Sequence, residues 1–443
     1  MIFAIISSAL AFAVAAAPTS AVAQAAAPES AAAANSEAPE LGRPGPHPIG
    51  TRSEELTLPP RHRITAKGVM QAERSVGLRF WYPAAESGHK AAATIYRHVM
   101  QLPGQPEWTW QDSGQALEGA AIGSERKAPL VLLSHGFGGW STHMSRLAEG
   151  LASRGYVVAS IDHRDVRFDS VPGFLLSFGN VLGDRAEDQR QVLERLVSGS
   201  WPKGHPMALI DPSNVGLIGY SMGGYGALAT AGASPDPASK ALSQLPGEVR
   251  ALASRADDAA AQRVKALVLI APWGGQASDR VWAPEALARV AAPTLLIGGN
   301  QDRIVGFDQG IRWIFDGLKG VDRRLLVYRE AQHNVAGNAV ALDPTAPAQA
   351  IEFLRDPVWR GDRINYINQH FITAFLDLTL RGQAARAEYL DVPAVLAADG
   401  EWPLPFGEQT RGAVAGASQP KYWRGFQRGT ATGLELHHKR AGQ

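Results

Sequence analysis

Residues 215–228 read VGLIGYSMGGYGAL. An apolar run closes on Gly219-Tyr220-Ser221-Met222-Gly223, and small residues follow. The first half has the composition of a strand buried on both faces, and the second opens a helix. A hydroxyl between two glycines at such a junction has a physical reading. A sharp strand-to-helix turn projects its central side chain away from the backbone, and neighbours without a Cβ relieve the crowding. The first turn of the helix aims free N–H groups at the same point, where negative charge would gather. Ser221 is therefore the candidate nucleophile. G-x-S-x-G also occurs by chance in glycine-rich chains, but here it follows a strand and opens a helix, the setting the motif requires.

A serine hydroxyl is a weak nucleophile and needs a base, which in turn needs a group to orient it. The expected chain order is Ser, acid, His. The strand PTLLIGG (293–299) runs into a loop carrying Asp302, and RRLLVYRE (323–330) runs into one carrying His333. Asp302 and His333 are thus the expected acid and base. Asp279 and Asp308 are rival acids, but neither directly follows a strand. An oxyanion needs two fixed N–H donors. Met222, directly after the nucleophile, supplies one. The glycine-rich SHGFGGW (134–140) supplies the other through Phe137, with His135 expected to fix that loop by hydrogen bonding.

The surrounding pattern supports an α/β architecture. PLVLLSH, YVVASID (156–162), NVGLIGY (214–220) and VKALVLIAP (264–272) read as strands. Helical spacing appears at 142–155, 184–199, 308–318 and 364–382. Alternating strands and helices predict a mainly parallel central sheet with helices on both faces. Ligands then bind outside the carboxyl ends of the strands. VGLRFWYP (76–83) and TIYRHV (94–99) are further strand candidates. Residues 85–128 and 232–263 read as inserted segments over the site, and the tail 384–443 as an extension with little period.

The chain has 443 residues, 45% of them hydrophobic, with 43 basic against 42 acidic side chains. That balance, without a basic tract, argues against nucleic acid as a partner. There is no cysteine, which excludes disulfides, a thiolate nucleophile and cysteine-ligated metal. The start, MIFAIISSALAFAVAAAPTSAVAQ, has a short apolar run and an A-x-A site at Ala21-Val22-Ala23. It reads as a signal peptide over 1–23 and predicts a secreted or periplasmic protein; an uncleaved anchor is the alternative. Residues 24–55, rich in Ala and Pro, read as a flexible linker, leaving 56–383 as the catalytic domain.

Two weaker features stay open. DHRD (162–165) clusters charge at a strand end, where ion pairing is expected over a metal site. Trp273 in APWGG lines an acyl pocket or packs the core, and Tyr220 and Phe137 flank the same place.

HGFGG (135–139), GYSMGGYGAL (219–228), GGNQDRIV (298–305) and AQHN (331–334), in this order at strand ends, resemble the α/β-hydrolase superfamily over about 75 to 382. LRFWYPA (78–84), the stretch 132–165 and NQHFITAFLDLTLRGQ (368–383) resemble the secreted bacterial branch similar to platelet-activating-factor acetylhydrolase and dienelactone hydrolase. That resemblance implies a serine hydrolase of short or modified acyl esters. Residues 269–305 also resemble cutinase-like polyester hydrolases, in which aromatics matching Trp273 and Phe137 contact the acyl group. There are departures. Dienelactone hydrolases proper use cysteine. Mammalian-type acetylhydrolases carry their acid where this chain reads Ala271-Pro272. Polyester hydrolases lack the two inserted segments.

The expectation is a carboxylic ester hydrolase using Ser221, His333 and Asp302 without metal or cofactor, on a small-molecule ester. A peptidase or amidase on the same triad is one rival, and a non-catalytic secreted binding protein on the same fold is another. A dehalogenase would need Asp in place of Ser221. Oligomeric state stays open.

Overall fold

The computed structural model describes residues 37–86, 93–100, 107–123, 126–166, 168, 170–341, 346–402 and 421–443. The expected signal peptide and the first part of the expected linker lie outside them. The strands are β1 (Ile49–Thr65), β2 (Gly68–Pro83), β3 (Ile95–Met100), β4 (Trp108–Ser113), β5 (Leu117–Glu118), β6 (Ala128–Ser134), β7 (Val157–Asp162), β8 (Ile210–Tyr220), β9 (Val264–Ile270), β10 (Thr294–Gly299), β11 (Arg323–Tyr328) and β12 (Leu434–Lys439). The helices of seven or more residues are α1 (Ser145–Ala152), α2 (Val171–Ser198), α3 (Met222–Thr230), α4 (Gly247–Ala253), α5 (Ala348–Leu354) and α6 (Gly361–Arg381).

Ten strands form one sheet in the order β12-β11-β10-β9-β8-β6-β7-β2-β1-β5. From β7 to β11 every pairing is parallel. The continuous apolar runs become these inner strands; β6, β10 and β11 are buried at every residue. Helix pairs α1–α6 and α2–α3 pack together and account for that burial. The chain moves from β6 to β7 on one side and then to β8 on the other, so the strand order reverses at β6 and β8. A crevice at such a reversal is the standard ligand position of parallel sheets.

The structure departs from the sequence reading at both ends. The linker expected over 24–55 is already built into the fold near its C-terminal end. Ala38 and Leu41 are buried, the Leu41 amide donates to His370 Nδ1 of α6 at 3.1 Å, and β1 starts at Ile49. Strand β1 hides from pattern reading because only part of it is buried and Pro59-Pro60 breaks its register with β2 between Leu58 and Arg61. The expected extension from 384 ends in β12, which pairs antiparallel with β11 along the sheet edge. The insert expected over 85–128 holds β3, β4 and β5; β4 pairs with β3 in a separate two-stranded sheet. The helix expected at 184–199 starts earlier, at Val171, where Ser170 Oγ accepts from the Gly173 amide at 3.3 Å. In the 232–263 segment, α4 packs on α2 and β1.

Candidate active site

Strand β8 ends at Tyr220, and α3 begins at Met222. Ser221, between them, has φ 52° and ψ −115°. A serine held at positive φ is strained, and such strain persists only where surroundings enforce it. Here the Ser221 amide donates to Ile270 O at 2.9 Å, and its carbonyl accepts from the Trp273 and Tyr225 amides at 3.1 and 3.0 Å. The flanking glycines are required sterically. A Cβ on Gly219 would stand 2.3 Å from Gly223 O, and one on Gly223 would stand 2.1 Å from Ser134 O.

His333 Nε2 lies 3.0 Å from Ser221 Oγ, and His333 Nδ1 lies 2.7 Å from Asp302 Oδ2. The loops after β10 and β11 therefore bring the expected acid and base to the expected serine. The second carboxylate oxygen of Asp302 accepts from the Ile304 and Val305 amides at 2.8 and 3.0 Å. Burial pushes the Asp302 pKa up, but His333 and these two amides outweigh it and the net shift is downward. Asp302 is thus held as a carboxylate. It fixes Nδ1 of His333 as the donor and leaves Nε2 free to accept the serine proton. The His333 loop is pinned from outside: Gln332 donates its amide to Asp356 at 2.6 Å, and Asn334 Nδ2 donates to Glu352 O and Arg355 O at 2.6 and 2.9 Å.

Tyr220 is buried against the histidine, with ring centroids 5.3 Å apart, and its hydroxyl donates to His333 O at 3.4 Å. The glycine-rich loop after β6 does reach the nucleophile, since a Cβ on Gly136 would stand 3.2 Å from Ser221 Cβ. That places the Phe137 segment beside Ser221 and close to the N-terminus of α3 where Met222 lies. His135 is fully buried and neutral: burial, then the nearby Arg185 charge, push its pKa well down. With Nδ1 donating to Gly136 O at 2.6 Å and Nε2 accepting from the His163 amide at 3.1 Å, it fixes the loop as expected.

The DHRD segment is knitted into polar contacts: Arg164 pairs with Glu55 and Asp165 with Arg185, while the neutral His163 ring hydrogen-bonds to Asp188. Asp165 also accepts from the Gly138 amide at 2.8 Å, tying this segment to the glycine-rich loop.

Aromatic rings run continuously from Phe137, next to Gly136, to Trp273, whose amide donates to Ser221 O at 3.1 Å. Phe137 stacks on Phe168 at 5.7 Å and meets Phe174 and Phe178 edge-on at 5.6 and 5.7 Å. Phe178 meets Trp273 edge-on at 5.4 Å. The sequence reading singled out Phe137 and Trp273 and missed the three phenylalanines between. The signal was present: Phe174 and Phe178 are four apart in a helix, and so share a face. They lie ahead of residue 184, where the helical spacing becomes legible.

Among the described residues, no helix is long and apolar enough to cross a membrane. Two family models match the chain. Platelet-activating factor acetylhydrolase, isoform II, matches residues 43–170, and the alpha/beta hydrolase fold matches 129–264. The chain has the α/β-hydrolase fold. Among solved structures it is similar to a ferulic acid esterase from Streptomyces cinnamoneus, with a TM-score of 0.51 and 22% identity over 78% of this chain and 94% of that one. The two matched spans take in Phe137 and Ser221 but end before Asp302 and His333, whose placement rests on geometry alone.

Proposed function

We propose that this hydrolase cleaves carboxylic esters of short or modified acyl groups through a covalent acyl-enzyme. The hydrogen-bonded chain Ser221–His333–Asp302 carries the reading. His333 takes the Ser221 proton as Oγ attacks the ester carbonyl. The amides of Phe137 and Met222 stabilise the oxyanion, and His333 returns the proton to the leaving alcohol. Water activated by the same imidazole then releases the acid, while Asp302 stabilises the transient imidazolium. No cofactor takes part in these steps. Secretion, guided by residues 1–23, belongs to the same proposal.

The run of aromatic rings favours one refinement, acyl groups that themselves carry a ring. Offset and edge-to-face contacts add about 0.5–1.5 kcal/mol per ring pair beyond area burial. The ferulic acid esterase with the same fold is in keeping with it.

Hydrolysis of p-nitrophenyl esters from two to sixteen acyl carbons, with a cinnamate ester alongside, tests the reading against a Ser221→Ala variant. Turnover by wild type and none by the variant is expected. Labelling by a fluorophosphonate probe without ester turnover would move the reading to amides. Failure of both would leave a binding protein.

A further inference from the structure

A second Ser–His–Asp chain lies inside the molecule. His163 Nδ1 is 2.8 Å from Asp188 Oδ2, and His163 Nε2 is 2.8 Å from Ser134 Oγ. Those spacings match the triad at Ser221, yet Ser134 and His163 are fully buried, as is Asp188. Solvent and substrate do not reach Ser134 Oγ, so this chain performs no acyl transfer.

Its polarity can be followed atom by atom. Asp188 is held ionised, since bonds from His163 and Arg74 outweigh its burial and Arg61 adds a contact at 2.9 Å. The carboxylate accepts Nδ1–H of His163, a ring kept neutral by burial and the nearby Arg185 charge. Nε2 then accepts the Ser134 hydroxyl proton. Ser134 Oγ, its proton committed, accepts from Gln189 Nε2 at 2.8 Å. The same nitrogen donates to Gly223 O at 3.0 Å. Ser134 is three residues before Phe137, and Gly223 is one after Met222.

We infer that Gln189 is a positioning residue for the oxyanion hole, clamping its two walls together, and that Asp188–His163–Ser134 orients the clamp. The inference rests on the esterase reading of Ser221. Among the described residues, the amide of Gln189 is the one side-chain group that bonds both the strand leading to Phe137 and the first turn after Met222. Its grip is reinforced by close backbone packing, since Gly223 leaves no room for a Cβ against Ser134 O. A hole set by such a clamp loses transition-state stabilisation when the donors drift apart, while ground-state binding of ester changes little.

Gln189→Met keeps the side-chain length and removes both donors. Ser134→Ala keeps Gln189 on Gly223 but cuts it from His163. Each is assayed for kcat, KM, melting temperature and inhibition by an aryl boronic acid, whose tetrahedral adduct places an oxygen in the hole. Expected for Gln189→Met is a fall in kcat of about 10–100-fold, below the loss of a whole oxyanion donor. KM should stay within about threefold, and the boronate Ki should rise in parallel with the fall in kcat. Ser134→Ala should move the same two quantities by a smaller factor. An unchanged boronate Ki in a folded variant overturns the inference, as does a loss confined to KM. If Gln189→Met does not fold, Ser134→Ala alone decides on the same criterion. A wild type that neither turns over esters nor reacts with a fluorophosphonate rejects the esterase reading instead, a distinct result.

Discussion

His333 stands with Nδ1 2.7 Å from Asp302, whose other carboxylate oxygen is already saturated by the amides of Ile304 and Val305. The carboxylate therefore cannot swing away, and the imidazole tautomer is set by a rigid partner. Asp302→Asn should keep the packing but offer an N–H where an acceptor is needed. The expected result is a loss of kcat of roughly ten-thousand-fold with a near-normal melting temperature. A loss below about tenfold would point to a different acid.

Gly223 sits where the first turn of α3 touches the end of β6. A Cβ there would meet Ser134 O at 2.1 Å and His135 O at 2.7 Å, both backbone atoms that cannot rotate aside. Gly223→Ala should destabilise the protein by about 3 kcal/mol in urea unfolding, as overpacking of a rigid site does. Esterase activity should fall with it, because the same displacement separates Ser134 from Met222. Retained stability and activity would show that the backbone yields.

Phe178 links the ring of Phe137 to that of Trp273. Phe178→Ala should raise KM for a cinnamate ester by about 5–10-fold while leaving p-nitrophenyl acetate within about twofold, the scale of one lost aromatic contact. Equal effects on both substrates would make Phe178 a packing residue and remove the case for ring-bearing acyl groups.

Four histidines are buried in neutral form. Burial pushes His143 down to about 4 and His370 down to about 3, with help from His98 and Arg154 respectively, and His135 and His163 lie well below the usual value. In the unfolded chain each would take a proton near pH 6.5. Between the unfolded and folded values only the unfolded chain is protonated. Their contribution is therefore complete above about pH 6.5 and is lost as pH falls toward the folded values. His143 alone accounts for about 3 kcal/mol across that window. Urea unfolding free energies should be level from pH 8 to 7 and decline steeply from 6.5 to 4. His143→Gln should shallow that decline by about one proton; an unchanged slope would show that His143 is protonated in the folded state.

The candidate site was legible in the sequence because each element of it ends a buried strand. Ser221, Asp302 and His333 follow β8, β10 and β11, whose unbroken apolar runs are hard to mistake. What pattern reading lost is half-buried or remote in sequence. Strand β1 alternates imperfectly around Pro59-Pro60, β12 joins the sheet from 105 residues beyond β11, and the phenylalanines of α2 sit in a stretch with Pro and Gly at its start. The clamp at Gln189 was invisible for another reason. A buried glutamine on an amphipathic helix has no motif, and only its hydrogen-bond partners reveal it.

Strand β12 makes a testable claim about the C-terminal residues. Arg323 at the start of β11 is buried, and its guanidinium donates to Phe315 O at 2.6 Å, Arg440 O at 3.2 Å and Gln443 O at 2.6 Å. Leu434 and Leu436 of β12 are buried against the core. Removing residues 433–443 would uncover the edge of β11, expose its apolar face and leave Arg323 with one protein acceptor fewer on each terminal nitrogen. Loss of the two leucines alone removes at least about 3 kcal/mol of burial. Because β11 leads directly into the His333 loop, activity and melting temperature should fall together on truncation. A truncated chain with full activity and an unchanged melting temperature would show that the edge strand is dispensable to both the sheet and the triad.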